Sequence, residues 1–257
     1  MSRYVYGVID AKDAASWPQD GGIGGPVRAL VRGDIAALVS DISDDVRPGT
    51  RDDLEAQRRV LGRAIELGTV IPMRFGMVMA DDTEVSERLL ELHGEQLSDL
   101  LAELDGHVQM TVRAFYAEDA LVSAATAGDA EIQRLHTFVN GHSELETRDQ
   151  RIALGQRVAE AMDQRRERDQ EALLARLRPV VSDLRVDPPG GERVALSAQV
   201  LVRRDARTAL DAQIAHLGAA LQGYLGLRYI GPLPPYSFTA LRLEPEVSAQ
   251  ATESRER

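Results

Sequence analysis

Five histidines, forty-one carboxylates and one glycine-rich run are the residues of this chain that could carry chemistry. His93, His107, His136, His142 and His216 form no H-E-x-x-H pair, and none lies four residues from another. His136 and His142 hint at a metal site near a loop; scattered histidines are the alternative. Gly22-Ile23-Gly24-Gly25-Pro26-Val27 invites comparison with a dinucleotide-binding fingerprint. Val27 takes the third glycine's place, however, and the following residues read as a strand, so a flexible loop is expected. Lys12 is the only lysine, which rules out a phosphate loop of the G-x-x-x-x-G-K-[ST] type. There is no G-x-S-x-G elbow, and Ser143 reads as a helix cap. Zero cysteines exclude disulfides, thiol catalysis and Cys-ligated metal centres. The carboxylates mostly alternate with arginine, as in Asp163-Gln164-Arg165-Arg166-Glu167-Arg168-Asp169, giving either a solvated face of weak pairs or a helix reaching for a partner. No catalytic, cofactor-binding or metal-binding residue is assigned, and no cofactor is expected.

What remains is apolar. Ile71-Pro72-Met73-Arg74-Phe75-Gly76-Met77-Val78-Met79 reads as an extended segment with three methionines and a phenylalanine on one face. Methionine suits irregular core gaps and adaptable contact surfaces alike. Ile71, Met73, Arg74, Phe75 and Met77 are therefore candidates for binding a partner, with core packing as the other reading.

The whole chain bounds these choices. Its 257 residues are 44% apolar and 28% charged, ordinary for a soluble globular protein. Thirty basic against forty-one acidic residues leave a net charge of −11, which argues against nucleic-acid binding. No secretory leader and no apolar run long enough to span a bilayer is visible. A cytoplasmic location is expected.

The elements that must position these residues read as follows. Strands are expected at Tyr4–Ile9, with Tyr4, Tyr6 and Val8 on one face, and at 27–32 and 35–42, joined by a tight Gly33-Asp34 turn within Arg32-Gly33-Asp34. Thr50 to Asp53 opens a helix with Leu54, Leu61 and Ile65 on one side and Gly68 at its end. A second helix spans about 83–104. At the centre, Val108, Met110, Val112 and Ala114 alternate with polar residues, the mark of a half-buried strand. Ser143-Glu144-Leu145-Glu146 opens a long charged helix that Pro179 ends. Strands follow at 180–186 and 193–202, then a helix with Leu210, Ile214, Leu217 and Leu221 on one face, then strands at 224–230 and 236–243. The fold class is α+β in two domains: 1–105, and 106–244 with ferredoxin-like β-α-β-β-α-β order plus an extra strand. Residues 118–140 are an insertion in the second domain or an interdomain element. Residues 245–257 are expected to be a disordered tail.

Four segments taken together resemble the gas vesicle protein F/L family: Tyr4-Val5-Tyr6-Gly7-Val8, Ile71 to Gly76, Gly106 to Arg113, and Gly231-Pro232-Leu233-Pro234-Pro235-Tyr236-Ser237-Phe238. They keep their order over nearly the whole chain. Leu233, Met73 and Met77 depart from the pattern, while the Gly and Pro punctuation is kept. The resemblance implies an accessory protein of gas vesicle formation that contacts the small hydrophobic shell protein and other vesicle proteins, without enzymatic activity. An enzyme with a dispersed active site and a homo-oligomerising module whose long helix makes the contacts are the competing readings.

Overall fold

The strand expected at the N-terminus forms as β1 (Ser2–Asp10) and pairs antiparallel with β3 (Ile35–Ile42). Its faces are not those of a simple alternation. Val5 pairs with Val39 and Gly7 with Leu38, so Tyr6 is an extra residue, a β-bulge. Tyr4, Tyr6 and Ile9 consequently enter one core while Val5 and Val8 enter the other, which corrects the expected Tyr4/Tyr6/Val8 face. This computed structural model describes residues 1–18, 21–143, 146–188 and 190–239. The expected tail, and residues 240–243 of the last strand candidate, lie outside the described residues.

The first sheet has the order β2-β3-β1-β4, where β2 is Arg28–Arg32 and β4 is Val70–Pro72. A short β5 (Val78–Met79) also pairs with β1. Gly33, at φ +59°, turns β2 into β3 as expected. After β1 comes a single turn, α1 (Ala11–Ala14). The glycine-rich run is not a flexible loop. Ile23 is buried, its N–H donates to Tyr6 Oη at 2.6 Å, and its carbonyl accepts from Ser40 Oγ at 2.6 Å. At Gly24, φ is +76° and an added Cβ would lie 2.7 Å from the Asp41 carbonyl oxygen. Gly24→Ala is thus expected to cost at least about 2 kcal/mol, lowering Tm by roughly 5 °C or more. Gly33→Ala, strained but with open space around it, should cost about half as much by thermal denaturation. Equal losses at the two positions would show that the Gly24 loop gives way freely.

One face of this sheet is covered by α2 (Arg51–Leu67). Its capping box forms: Asp53 N–H donates to Thr50 Oγ1 at 3.1 Å, and Thr50 N–H donates to Asp53 Oδ2 at 3.0 Å. Leu61 and Ile65 are buried, but Leu54 is 55% exposed, because the buried stripe runs through Ala56, Gln57, Val60 and Ala64. The opposite face is covered by α3 (Asp82–Glu84), a π-helical run from Val85 to Glu91, and α4 (Gly94–Glu103). The single helix expected over 83–104 is therefore broken. Leu92 N–H reaches back five residues to the Glu87 carbonyl at 3.1 Å, and Gly94 restarts the helix.

The second sheet contains β6 (His107–Tyr116), β7 (Asp183–Val186), β8 (Val194–Arg203) and β9 (Leu225–Leu233). Their order is β7-β8-β6-β9, and every neighbouring pair is antiparallel. Between β6 and β7 run α5 (Ala120–Thr126), α6 (Ala130–Asn140) and the 30-residue α7 (Arg148–Leu177); α8 (Arg207–Ala220) joins β8 to β9. Residues 118–140 pack along α7 as α5 and α6. Ser143 Oγ does donate to Glu146 at 2.7 Å, yet the helix starts only at Arg148, after Thr147. The extra strand is corrected too: its described part, Tyr236 to Thr239, is a turn.

The core of this half unites Val108, Met110, Val112 and Ala114 with Leu196, Ala198, Val200 and Val202, and with Leu210, Ile214 and Leu217 of α8. From α7 come Leu173, Leu174 and Leu177. The Asp163–Asp169 run is not wholly solvated. Asp163 pairs with Arg166 at the surface, but the Asp169 side chain is only 12% exposed and takes Arg165 Nε at 3.1 Å and Tyr116 Oη at 3.0 Å. The polar face of β6 was expected to meet water; Gln109 and Thr111 are instead buried. The residues after β9 cross it, and Phe238 with Leu201 of β8 joins the core that the first sheet shares with the π-helical run and α4. Arg204 fastens the two halves from another side, donating to the carbonyls of Ile65 at 2.5 Å and Gly68 at 3.0 Å, where the exposed dipole of the α2 C-terminus favours a cation.

Candidate functional site

Ile71 and Pro72 end β4, Val78 and Met79 form β5, and both strands pair with β1. Between them, Met73 to Met77 leave the sheet in a turn that Gly76 closes at φ +85°. The segment is an interrupted strand, so its methionines and phenylalanine do not share one face. Ile71 and Met73 are buried in the core, Met77 is half-buried against it, and Arg74 and Phe75 are exposed.

This turn is clamped from below. Met73 N–H donates to the Tyr6 carbonyl at 2.8 Å, and Val5 N–H donates to the Met77 carbonyl at 2.9 Å. Gly76 N–H donates to Tyr4 Oη at 3.0 Å, and Tyr4 Oη in turn donates to Gln57 Oε1. Gln57, fully buried on α2, spends its amide on the Met73 carbonyl at 3.2 Å and on Tyr236 Oη at 2.9 Å. Burial pushes the Tyr4 hydroxyl up to about 12, so it remains a donor at neutral pH. The Tyr4 ring lies 4.9 Å from Tyr6 and meets Phe75 edge-on at 6.3 Å between centroids.

Tyr236 reaches this place on a compact turn. Tyr236 N–H donates to the Pro234 carbonyl and Phe238 N–H to the Pro235 carbonyl. Ser237 N–H donates to Gln109 Oε1 at 2.9 Å, and Gln109 continues into Gln199, which also takes Thr111 Oγ1. The four segments read together in the sequence thus meet here: Tyr4 from the first, Met73 and Gly76 from the second, Gln109 from the third, Tyr236 and Ser237 from the fourth. The rim above them exposes Phe75 (36%), Tyr236 (43%) and, one turn before Gln57, Leu54.

A carboxamide and protonated tyrosines hold shape; the cluster contains no general base and no nucleophile paired with one. Among the described residues no group of three or more His, Asp or Glu could hold a metal ion. His136 neighbours Asn140, while His142 Nδ1 lies 2.8 Å from the Phe138 carbonyl and its ring stacks on Phe138. His107 bridges the Asp105 carbonyl and Ser182 Oγ. No helix of the described residues is long and apolar enough to cross a membrane. Arg74 and Phe75, candidates from the sequence, stand exposed on this turn, whereas Gln57 and Leu54 are not among the sequence's binding candidates. A glutamine in phase with Leu61 and Ala64 on the buried stripe was the available signal.

The family model described as gas vesicle synthesis protein GvpL/GvpF matches residues 2–240. The chain is 38% identical over 241 residues to gas vesicle protein F of a Streptomyces species, covering 93% of this chain and 99% of that one. It is 27% identical over 267 residues to gas vesicle protein L1 of Halobacterium salinarum, covering 92% and 89%. The crystal structure of the gas vesicle protein GvpF from Anabaena sp. PCC7120 matches in fold with a TM-score of 0.82 at 21% identity, covering 93% and 98%. With both its sequence and its mixed helix-and-sheet fold matched nearly end to end, this chain belongs to the gas vesicle protein F/L family.

Proposed function

We propose that the protein is a non-enzymatic accessory factor that binds the small hydrophobic shell protein, and other vesicle proteins, while gas vesicles form in the cytoplasm. The binding unit in this reading is the N-terminal half, residues 1–105, completed by Tyr236 from the second. The observation that carries it is the convergence of all four family-like segments on one exposed aromatic rim. Such a rim suits transient cover for a subunit whose apolar face would otherwise aggregate. The net charge of −11 would keep the complex soluble.

Co-expression with the cognate shell protein, followed by a tagged pull-down at moderate and high salt, tests this. Soluble shell protein should be recovered, and Phe75→Glu should cut recovery about tenfold, as expected for one central aromatic anchor. Its Tm should stay within about 3 °C of the parent, because Phe75 lies on the surface. Unchanged recovery with Phe75→Glu would remove the rim from the function. Met77 is a poorer choice, since it packs against the core.

A further inference from the structure

The rim carries unspent positive charge. Arg58 follows Leu54 by one turn on α2, next to Gln57, and Arg74 stands between Met73 and Phe75 in the clamped turn. Both are exposed, and neither has a carboxylate partner among the described residues. Several arginines elsewhere on this acidic molecule are paired: Arg3 and Arg28 with Asp82, Arg32 with Glu91, Arg157 with Asp129, Arg203 with Asp205. Others, such as Arg59 and Arg168, are like Arg58 and Arg74 exposed and without a carboxylate partner among the described residues. Two acids at the start of α2 are engaged, Asp53 by the Thr50 cap and Glu55 by Arg51. Two guanidinium groups without a carboxylate partner among the described residues, carried on the same elements as Leu54 and Phe75, bring fork-shaped carboxylate recognition to an apolar rim.

We infer that this rim recognises an amphipathic protein segment carrying carboxylates beside its apolar face, with Arg58 and Arg74 taking the carboxylates. The inference rests on the rim being the binding surface and adds the chemistry of what it binds. Arginine with aromatic residues is the composition of binding hot spots, and each arginine here can gain a partner without losing one. A phosphate backbone would meet the same two cations, but the surrounding negative charge opposes a polyanion far more than a short segment.

The test uses the full chain and two synthetic amphipathic peptides of about 14 residues, long enough for one helical face. They share an apolar face and differ only in carrying two Glu or two Gln beside it. The Glu peptide should bind about tenfold tighter at about 0.1 M salt, and the preference should shrink to about threefold or less at about 1 M. In Arg58→Gln/Arg74→Gln the preference should vanish while binding of the Gln peptide is kept. Equal binding of the two peptides, no binding of either, or a preference that survives in the double variant would overturn the inference. So would an equally tight single-stranded oligonucleotide, or a dimer in sedimentation that the double variant dissolves. Loss of shell-protein recovery with Phe75→Glu, alongside equal peptide binding, would leave the binding surface standing and sink only its preference for carboxylates.

Discussion

Asp169→Ala is expected to lower Tm by roughly 10 °C, a larger loss than any surface change in α7 could cause. The carboxylate accepts from Tyr116 Oη at 3.0 Å, from Tyr224 Oη, and from Arg165 Nε at 3.1 Å. Arg165 also lies over the Tyr224 ring at 5.1 Å, and the two tyrosines meet edge-on at 5.7 Å. Alanine would strand the buried Tyr116 hydroxyl, the partly buried Tyr224 hydroxyl and a guanidinium in one step, at a cost of about 3 kcal/mol, the low end for breaking a buried pair because Asp169 retains slight exposure. Asp169→Asn keeps an acceptor but loses the charge, so roughly half the loss should return. A second readout separates this cluster from general loosening. Burial, then the Asp169 carboxylate, hold the Tyr224 hydroxyl up to about 12. Removing the carboxylate should let that titration fall toward the ordinary value near 10, visible by ultraviolet absorbance. A Tm within about 2 °C of the parent, with Tyr224 still titrating near 12, would show that α7 docks without this cluster.

Asp169 also illustrates what the sequence could and could not tell. Local punctuation was legible: Gly33-Asp34 turns a hairpin, Thr50 and Asp53 cap α2, and Leu210, Ile214 and Leu217 face the core. Each of these depends on residues within a few positions of one another. The misread features depend on distant ones. Charge alternation cannot say that one aspartate in Asp163–Asp169 turns inward, because Tyr116 and Tyr224 stand 53 and 55 residues away. The bulge at Tyr6 adds one residue to one strand and leaves no periodic mark. Only Gly7 hints at it, since a Cβ there would lie 2.7 Å from the Ile71 carbonyl oxygen. Gln109 and Thr111 alternate like a solvated face, yet the segment that covers them arrives almost 130 residues later. In the candidate site Arg74 and Phe75 were readable from their own segment. For Gln57 only its burial was readable, from its phase with Leu61 and Ala64; its role comes from Tyr4 and from Tyr236, which is 179 residues away.

Phe238→Ala should produce the other large loss, about 3–5 kcal/mol for emptying an aromatic site in a core. Phe238 is buried in the cluster that holds Val5, Met73, Leu89 and Leu90 of the π-helical run and Leu97 and Leu101 of α4, together with Leu201 of the second sheet. Arg185 covers its ring at 5.1 Å. The rest of the turn is tied to the body by two side-chain bonds, Ser237 N–H donating to Gln109 Oε1 and Gln57 Nε2 donating to Tyr236 Oη. Without the phenyl ring both bonds must hold the turn against its regained conformational entropy, and the Gln57 clamp slackens with them. The effect should therefore reach across the molecule. Amide exchange should accelerate at Ser237 and also at Gly76, whose N–H is bound to Tyr4 one step beyond Gln57. Tyr236→Phe is the control for the polar step alone. It deprives Gln57 of one acceptor but leaves it the Met73 carbonyl, so about 1 kcal/mol is expected, with Ser237 exchange unchanged. If Phe238→Ala costs no more than Tyr236→Phe, the turn is held by its polar bonds. If Gly76 exchange stays at the parent rate while Ser237 speeds up, the two halves do not communicate through Gln57, and the rim is shaped by the first sheet alone.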